Sequence, residues 1–473
     1  MSGQLSSQSP GVFSRRQASV AKKLSGVPAL VFAGGDRSRN YPANVYPYRA
    51  DSHFLYLAGA AIPDAALFID GDRVELFMTP RAPDDSLWHG ALPTFEEIRI
   101  ATGVAAVRSD DELAEVIAAR GAQNIATLPS ADPLTRNRQC ALLKRTWSGA
   151  TAPSVTSLSD TDLQLADAMI EQRLRHDDAA VAMIERALEA TTAAHKAGMA
   201  VSRAGIYEHD VRAAMERELT CRGMTPAYNS IITVHGEILH NTSYHRQLER
   251  HDLLLADVGG EHEGWASDIT RTWPVGGTFS PTQRALYEVV LQSQLDAIAL
   301  VKPGVRYRDV HLAACVTLAR GLVDEGILHG DPEGLVERGA HALLFPHGVG
   351  HVLGLDVHDM EDLGDRAGYA PGRTRSEQFG LGYLRLDRDL VAGMVVTIEP
   401  GLYIVPALLA DETLCGPFLA DKTLDRDRLA QFDDVRGIRI EDDVLCTPTG
   451  PQVLSARIPK SVLEVEAAVR AGQ

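Results

Sequence analysis

Leu253-Leu254-Leu255-Ala256-Asp257-Val258-Gly259-Gly260-Glu261-His262-Glu263-Gly264-Trp265-Ala266-Ser267-Asp268-Ile269-Thr270-Arg271-Thr272 reads as an apolar run, a glycine-bounded polar turn and a second extended run, the pattern of a β-hairpin. With the turn centred between His262 and Glu263, Asp257 and Asp268 are equidistant from it and face each other on one side of the ladder. Carboxylates opposed at ~5 Å repel unless a cation lies between them, so the hairpin predicts a metal site.

Three further segments supply partners. His347-Gly348-Val349-Gly350-His351-Val352-Leu353-Gly354-Leu355-Asp356-Val357-His358-Asp359 holds three histidines, and its glycines argue against a helical zinc pair, so an extended or looped backbone is expected. Glu399 ends the apolar strand Met394-Val395-Val396-Thr397-Ile398 and precedes Pro400-Gly401, a turn that holds its carboxylate at a strand end. In Gly437-Ile438-Arg439-Ile440-Glu441-Asp442-Asp443, strand alternation puts Arg439, Glu441 and Asp443 on one face, with Asp442 and Asp443 expected in solvent. Asp257, Asp268, His351, Glu399 and Glu441 give four carboxylates and one imidazole. Two divalent cations balance that charge, and oxygen-rich ligation favours Mn²⁺, with Co²⁺, Fe²⁺ or Zn²⁺ as alternatives. A two-metal centre of this kind activates water against a carbonyl, which makes amide hydrolysis the candidate reaction.

Outward from the site, helical patterns run from Asp177 to Lys196, Ile206 to Cys221, Thr282 to Val301 and Asp309 to Glu325. Each pair is followed by strand-like segments: Asn229 to Val234 and Leu253 to Trp273 after the first, Leu343 to His358 and Val395 to Val405 after the second. With Lys196-Ala197-Gly198 and Lys302-Pro303-Gly304 as matching punctuation, two similar halves enclosing one site are expected. Leu363 to Tyr383 and Pro406 to Asp434 read as surface insertions. The first 150 residues alternate short strands (28–33, 65–69, 74–78) with helices (94–101, 110–119), an α/β domain, and the Ser/Thr/Pro-rich stretch from Thr151 to Asp162 marks its end. The fold class is therefore α/β (α+β), with domains at 1–160 and 161–473.

The chain has 473 residues, enough for two or three domains, and its 46 Lys plus Arg against 63 Asp plus Glu leave a formal charge of −17, which disfavours nucleic acid and anionic membranes as partners. No apolar run approaches the ~18 residues of a spanning helix, and the residues after Arg15-Arg16 form a polar helix instead of an export signal. Five scattered cysteines, none in a C-x-x-C pair, fit idle thiols in a reducing cytoplasm.

The five ligands in this order resemble the pita-bread metallopeptidases, and among them the aminopeptidase P (Xaa-Pro aminopeptidase) family. The motifs are D-V-G-G-x8-D-I-T-R-T, H-G-V-G-H-V-L-G-L-D-V-H-D, T-I-E-P-G-L-Y and R-I-E-D-D, joined more loosely by Tyr46-Pro47-Tyr48-Arg49, His53-Phe54-Leu55-Tyr56-Leu57 and Leu87-Trp88-His89-Gly90. The resemblance implies an N-terminal aminopeptidase P-like domain before a pseudo-two-fold pita-bread catalytic domain. It implies hydrolysis of the N-terminal Xaa-Pro bond by a metal-bridging hydroxide, a peptide substrate with proline second, and a homo-oligomer, dimer or tetramer. By the same resemblance Glu399 binds metal and handles the proton of the attacking water. His240, His347 and His358 fall at the substrate and proton-shuttle positions, and Arg439 beside the last glutamate, where a guanidinium holds Glu441 ionised. Tyr403 lies in the E-P-G-L-Y motif and is expected near them. A prolidase confined to Xaa-Pro dipeptides is the alternative, and a non-peptidase relative of the same scaffold stands behind it.

Overall fold

The computed structural model describes residues 5–82, 85–147 and 154–472, so Thr151, Ala152 and Pro153 of the expected border lie outside the described residues. Two compact units emerge, one of the residues up to Leu174 with Met360–Ala367, the other of Arg175–Asp359 with Gly368–Gln473.

In the first unit a four-stranded sheet runs in the order Ala29–Phe32, Ala66–Asp70, Arg73–Met78, Ala106–Ser109, antiparallel except for the last pair. Phe32, Phe68 and Phe77 pack with Leu113 and Ile117 of the helix Leu113–Arg120, as strands with one apolar face must. Arg15 and Arg16 lie in the helix Pro10–Leu24, where Arg16 is buried with its guanidinium 4.5 Å from the Tyr56 ring centroid. The helix Asp160–Arg173 belongs here too: Asp162 accepts from Thr127 N at 2.8 Å, and Gln164 donates to the carbonyls of Lys23 and Leu24. The 160/161 division falls at the start of this helix, whereas the compact units part at its end.

The second unit repeats itself. Helices Asp178–Val201 and Glu208–Thr220 make one antiparallel pair, Pro281–Ala299 and Tyr307–Asp324 the other. The Lys-x-Gly punctuation is not equivalent in the two, since Lys196-Ala197-Gly198 is inside a helix and Lys302-Pro303-Gly304 follows one. The true match is Gly205-Ile206 with Gly304-Val305. Both glycines have φ near 90°, which only glycine takes without strain, and both donate to a leucine carbonyl, Leu248 and Leu390, whose own N–H returns to Ile206 and Val305.

Strand Leu253–Asp257 pairs with Ile231–Thr233 on one side and Thr270–Pro274 on the other. In the second half, Val395–Ile398 pairs with Asp442–Thr447 and Gly401–Tyr403 with Gly437–Arg439. The stretch Leu343 to His358 is not a strand, being a loop with one isolated bridge, Val352 to Val396. Its glycines are the reason: a Cβ on Gly350 (φ 153°) would stand 2.2 Å from Thr397 O, so the loop lies against strand Val395–Ile398 too closely for side chains. The stretch Pro406 to Asp434 carries three short helices, Pro406–Ala410, Glu412–Ala420 and Arg426–Leu429.

Asp442 is buried, not solvated. It accepts from Arg271 (2.7 Å), Lys460 (2.6 Å), Ser455 (2.6 Å) and Gln294 (2.8 Å). Burial opposes its ionisation, but Arg271 and then Lys460 outweigh it and hold the carboxyl below its usual range. A depressed pKa contributes stability above the unfolded value of ~3.9 that is lost as pH falls through the folded one. Asp442→Ala strands a buried guanidinium, and urea denaturation at pH 7 is expected to show a loss of ~3–5 kcal/mol.

Candidate metal centre

The hairpin forms with its turn one residue later than the sequence suggests. His262 pairs with Trp265 across Glu263 (φ 50°) and Gly264 (φ 90°), a two-residue turn with both residues left-handed, as hairpin twist prefers. Asp257 therefore faces Thr270, and Asp268 lies two residues before that partner. Because side chains alternate with period 2, a slip of two preserves the face, so both carboxylates still converge, diagonally. The Tyr228 hydroxyl donates to Asp257 Oδ1 at 2.5 Å.

The glutamates share a second device. Glu399 falls at the break between strands Val395–Ile398 and Gly401–Tyr403, Glu441 at the break between Gly437–Arg439 and Asp442–Thr447, and these are the two sides of one interrupted ladder. Pro400, which cannot donate to a ladder, marks the kink, and both acidic side chains project from it. His351 completes the cluster. Its Nδ1 donates to Val352 O (3.0 Å), which leaves Nε2 with its lone pair 3.4 Å from Asp268 Oδ2 and 3.6 Å from Glu399 Oε1. Ligand atoms of Asp268, His351 and Glu441, all buried, lie within 4.8 Å of one another.

The electrostatics show what the site can hold. Burial, then the Asp257 charge, raises Asp268 to about 7. Burial raises Glu399 to about 7 although His351 and Arg439 oppose it, and burial followed by Asp268, Glu399 and Asp257 pushes Glu441 well up. Carboxyls so crowded hold protons unless cations replace them, and oxygen donors with one correctly presented imidazole nitrogen suit divalent metals. Asp257, Asp268, His351, Glu399 and Glu441 thus fit the expected ligand set.

Arg439 departs from expectation. Its guanidinium donates to Asp257 (2.6 Å), Tyr403 (3.1 Å) and Thr270 (3.0 Å), not to Glu441. It reaches Glu441 through the Thr270 hydroxyl, which donates to Glu441 Oε2 at 2.6 Å. Asp443 is buried as well, accepting from Asp268 N (3.1 Å).

Among the other histidines, His347 receives the Tyr403 hydroxyl at Nε2 (2.8 Å) and bonds Gly348 O through Nδ1 (2.8 Å). Burial, then Arg439, lowers it to about 3, so it is a neutral imidazole near pH 7 and not one with an ordinary pKa. His358 stands edge-on to His351 with ring centroids 4.2 Å apart, and His240 lies on an exposed turn, its pKa lowered by burial and by Arg439. Tyr228 and Thr270 are site residues that sequence reasoning missed. Thr270 had a signal, since alternation in Asp268-Ile269-Thr270 puts it on the aspartate face, whereas nothing around Tyr228 marks it.

Comparison with known proteins gives consistent results. Residues 182–448 match the model of metallopeptidase family M24, and residues 13–128 that of the aminopeptidase P N-terminal domain. The Xaa-Pro aminopeptidase of Escherichia coli K12 is 32% identical over 469 residues, 96% of each chain, and that of Haemophilus influenzae 32% over 445 residues, 92% of each. Among solved structures, Pseudomonas aeruginosa aminopeptidase PepP superposes with a TM-score of 0.80 at 28% identity, covering 98% of this chain and 99% of that one. Zinc-substituted E. coli aminopeptidase P in complex with product gives 0.78 at 29%, covering 99% and 100%.

Two outcomes are expected. In the metal-free protein Asp268 and Glu399 titrate at about 7, against ~4 in the unfolded chain, so the folded state binds more protons in between and stability falls as pH rises through that window. Calorimetry should find the chelated protein melting higher at about pH 5 than at about pH 8, and saturating metal should remove the difference; equal melting at both pH values without metal would mean the carboxyls are not crowded. For Arg439→Ala, metal titration should show affinity or activity reduced ~10 to 100-fold with the fold retained.

Proposed function

This chain belongs to metallopeptidase family M24 with an aminopeptidase P N-terminal domain ahead of it, and from that membership we propose that it releases the N-terminal residue from peptides whose second residue is proline. The observation that carries the reading is the buried convergence of Asp257, Asp268, His351, Glu399 and Glu441, with the N-terminal domain favouring this activity over a dipeptide-only prolidase. When bound there, divalent cations supply a Lewis acid for the scissile carbonyl and acidify water. Mn²⁺ is the ion we propose, on the oxygen-rich donor set.

Glu399 is the proton handler. Its side chain, 17% exposed, is more open than those of Asp257 (12%), Asp268 (7%) and His351 (4%), which makes it the acid placed to take a proton from water and return it to the proline nitrogen. His351 holds its tautomer through Val352 O. His347, kept neutral, steadies the Tyr403 hydroxyl beside Arg439, His240 borders the site from its turn, and His358 is the proton donor to the developing oxyanion. We also propose a homo-oligomer and a cytoplasmic setting, the latter supported by five free cysteines. No helix among the described residues is long and apolar enough to cross a membrane.

Rates on Xaa-Pro against Xaa-Pro-Yaa-Zaa peptides, after reconstitution with Mn²⁺, test the reading. The longer peptides should be cleaved efficiently and Xaa-Ala controls should not; cleavage of dipeptides alone would install the prolidase reading. In the same assay His351→Ala should lose metal, while His358→Ala should keep it and lose kcat, and a His358→Ala protein that turns over normally would make its ring structural.

A further inference from the structure

Behind the loop that carries His347 is a second group of ligating side chains that the peptidase chemistry does not use. The helix Tyr307–Asp324 carries His311-Leu312-Ala313-Ala314-Cys315, so His311 and Cys315 stand one turn apart on one face. His341 comes from the short 3-10 helix Ala340–Leu343. All three residues are buried, and one ligand atom from each lies within 4.8 Å of the others. His311 Nε2 is 3.5 Å from Cys315 Sγ, close to the ~3.5 Å edge between two ligands of a tetrahedral ion with bonds of ~2.0–2.3 Å. His341 is 3% exposed, and its buried Nδ1 has no hydrogen-bond partner. An orphaned imidazole nitrogen in the interior carries an unreturned desolvation cost, and a cation is one group that returns it.

The protonation states agree with that geometry. Burial, with help from His341 and His347, lowers His311 to about 3, and burial lowers His341 to about 4, so both rings are neutral and have lone pairs to give. Burial raises the Cys315 thiol, which keeps its proton until a metal displaces it.

We propose that His311, Cys315 and His341 form a second metal site, separate from the carboxylate centre, that takes one thiophilic d¹⁰ cation, Zn²⁺ or Cu⁺. Binding forms one sulfur–metal and two nitrogen–metal bonds, and the single proton released from Cys315 Sγ leaves to solvent. With one thiolate and two neutral imidazoles, Cu⁺ leaves the site uncharged and Zn²⁺ leaves it with one positive charge. Two imidazoles and a sulfur select soft or borderline ions, whereas the carboxylate centre, which has no sulfur, selects harder ones. Phe345 packs against His311 on one side of the pair, its ring centroid 5.8 Å from that of His311 and 4.8 Å from that of His347. The proposal is therefore independent of the peptidase reading.

The absence of sulfur from the carboxylate centre makes the test specific. The stripped full chain is first saturated with Mn²⁺, then titrated anaerobically with Co²⁺ as the spectroscopic stand-in for Zn²⁺, or with Cu⁺ against a bicinchoninate competitor. The wild type should bind one further equivalent, and in the cobalt arm should develop a thiolate-to-metal charge-transfer band in the near ultraviolet. Uptake in the Co²⁺ and Zn²⁺ arm alone assigns zinc, and uptake in the Cu⁺ arm alone assigns copper. Cys315→Ala, a small change to a good helix former, should abolish the band and the extra equivalent, and His341→Gln should weaken the site by at least ~100-fold, with Mn²⁺-supported peptide cleavage within about twofold of wild type in both. No extra equivalent in either arm overturns the proposal. So does an unchanged band in Cys315→Ala, which would place the thiolate at another of the free cysteines.

Discussion

Mutual repulsion among buried carboxylates is the constraint around which the catalytic unit is arranged. Asp257, Asp268, Glu399 and Glu441 are each largely removed from water, and Asp257, Asp268 and Glu399 each raise the cost of ionising at least one of the others. Left to itself such a cluster would take up protons or splay apart. The protein prevents splaying with hydrogen bonds to the carboxylate oxygens: Tyr228 and Arg439 take the two oxygens of Asp257, and Thr270 takes one of Glu441. The surrounding fold fixes the carboxylate positions and leaves the compensating charge to cations.

The repeat in the chain explains how four acids come to one place. Each half supplies a helix pair with a left-handed glycine in its connector, and each half then supplies two acidic ligands. The halves do so by different local means, a continuous hairpin for the aspartates and an interrupted ladder for the glutamates. The halves are stitched directly, since Glu441 N donates to Thr270 O and Arg271 reaches across to Asp442 and to Glu441 O. A buried ion pair of this kind contributes little net stability, but breaking it is expensive, so it fixes which strands sit side by side. That register decides whether the two pairs of carboxylates meet.

Much of this is legible in the sequence, and the failures have physical causes. The aspartate face is legible because a period-2 pattern survives a two-residue slip, although the turn position is not, since Glu263-Gly264 and His262-Glu263 are both polar. The solvated reading of Asp442 and Asp443 fails because charge is a local property and burial a tertiary one: their partners Arg271, Lys460 and Asp268 are remote in sequence. The strand expected at Leu343 to His358 fails because its apolar residues serve a loop whose glycines admit a neighbouring strand.

Burial keeps His347 neutral, and the same constraint reinforces it. Arg439, recruited to balance Asp257, lies close enough to Tyr403 and His347 that a second positive charge there would be repelled. The imidazole is therefore held as an acceptor for the Tyr403 hydroxyl at Nε2, with its proton on Nδ1 committed to Gly348 O. Whatever proton the reaction moves must then come from a group outside this Arg439–Tyr403–His347 chain. Glu399 lies outside that chain: it is more open than the two aspartates, and it stands at the break in the ladder beside Pro400. The guanidinium that steadies Asp257 thereby also helps to keep the neighbouring imidazole uncharged.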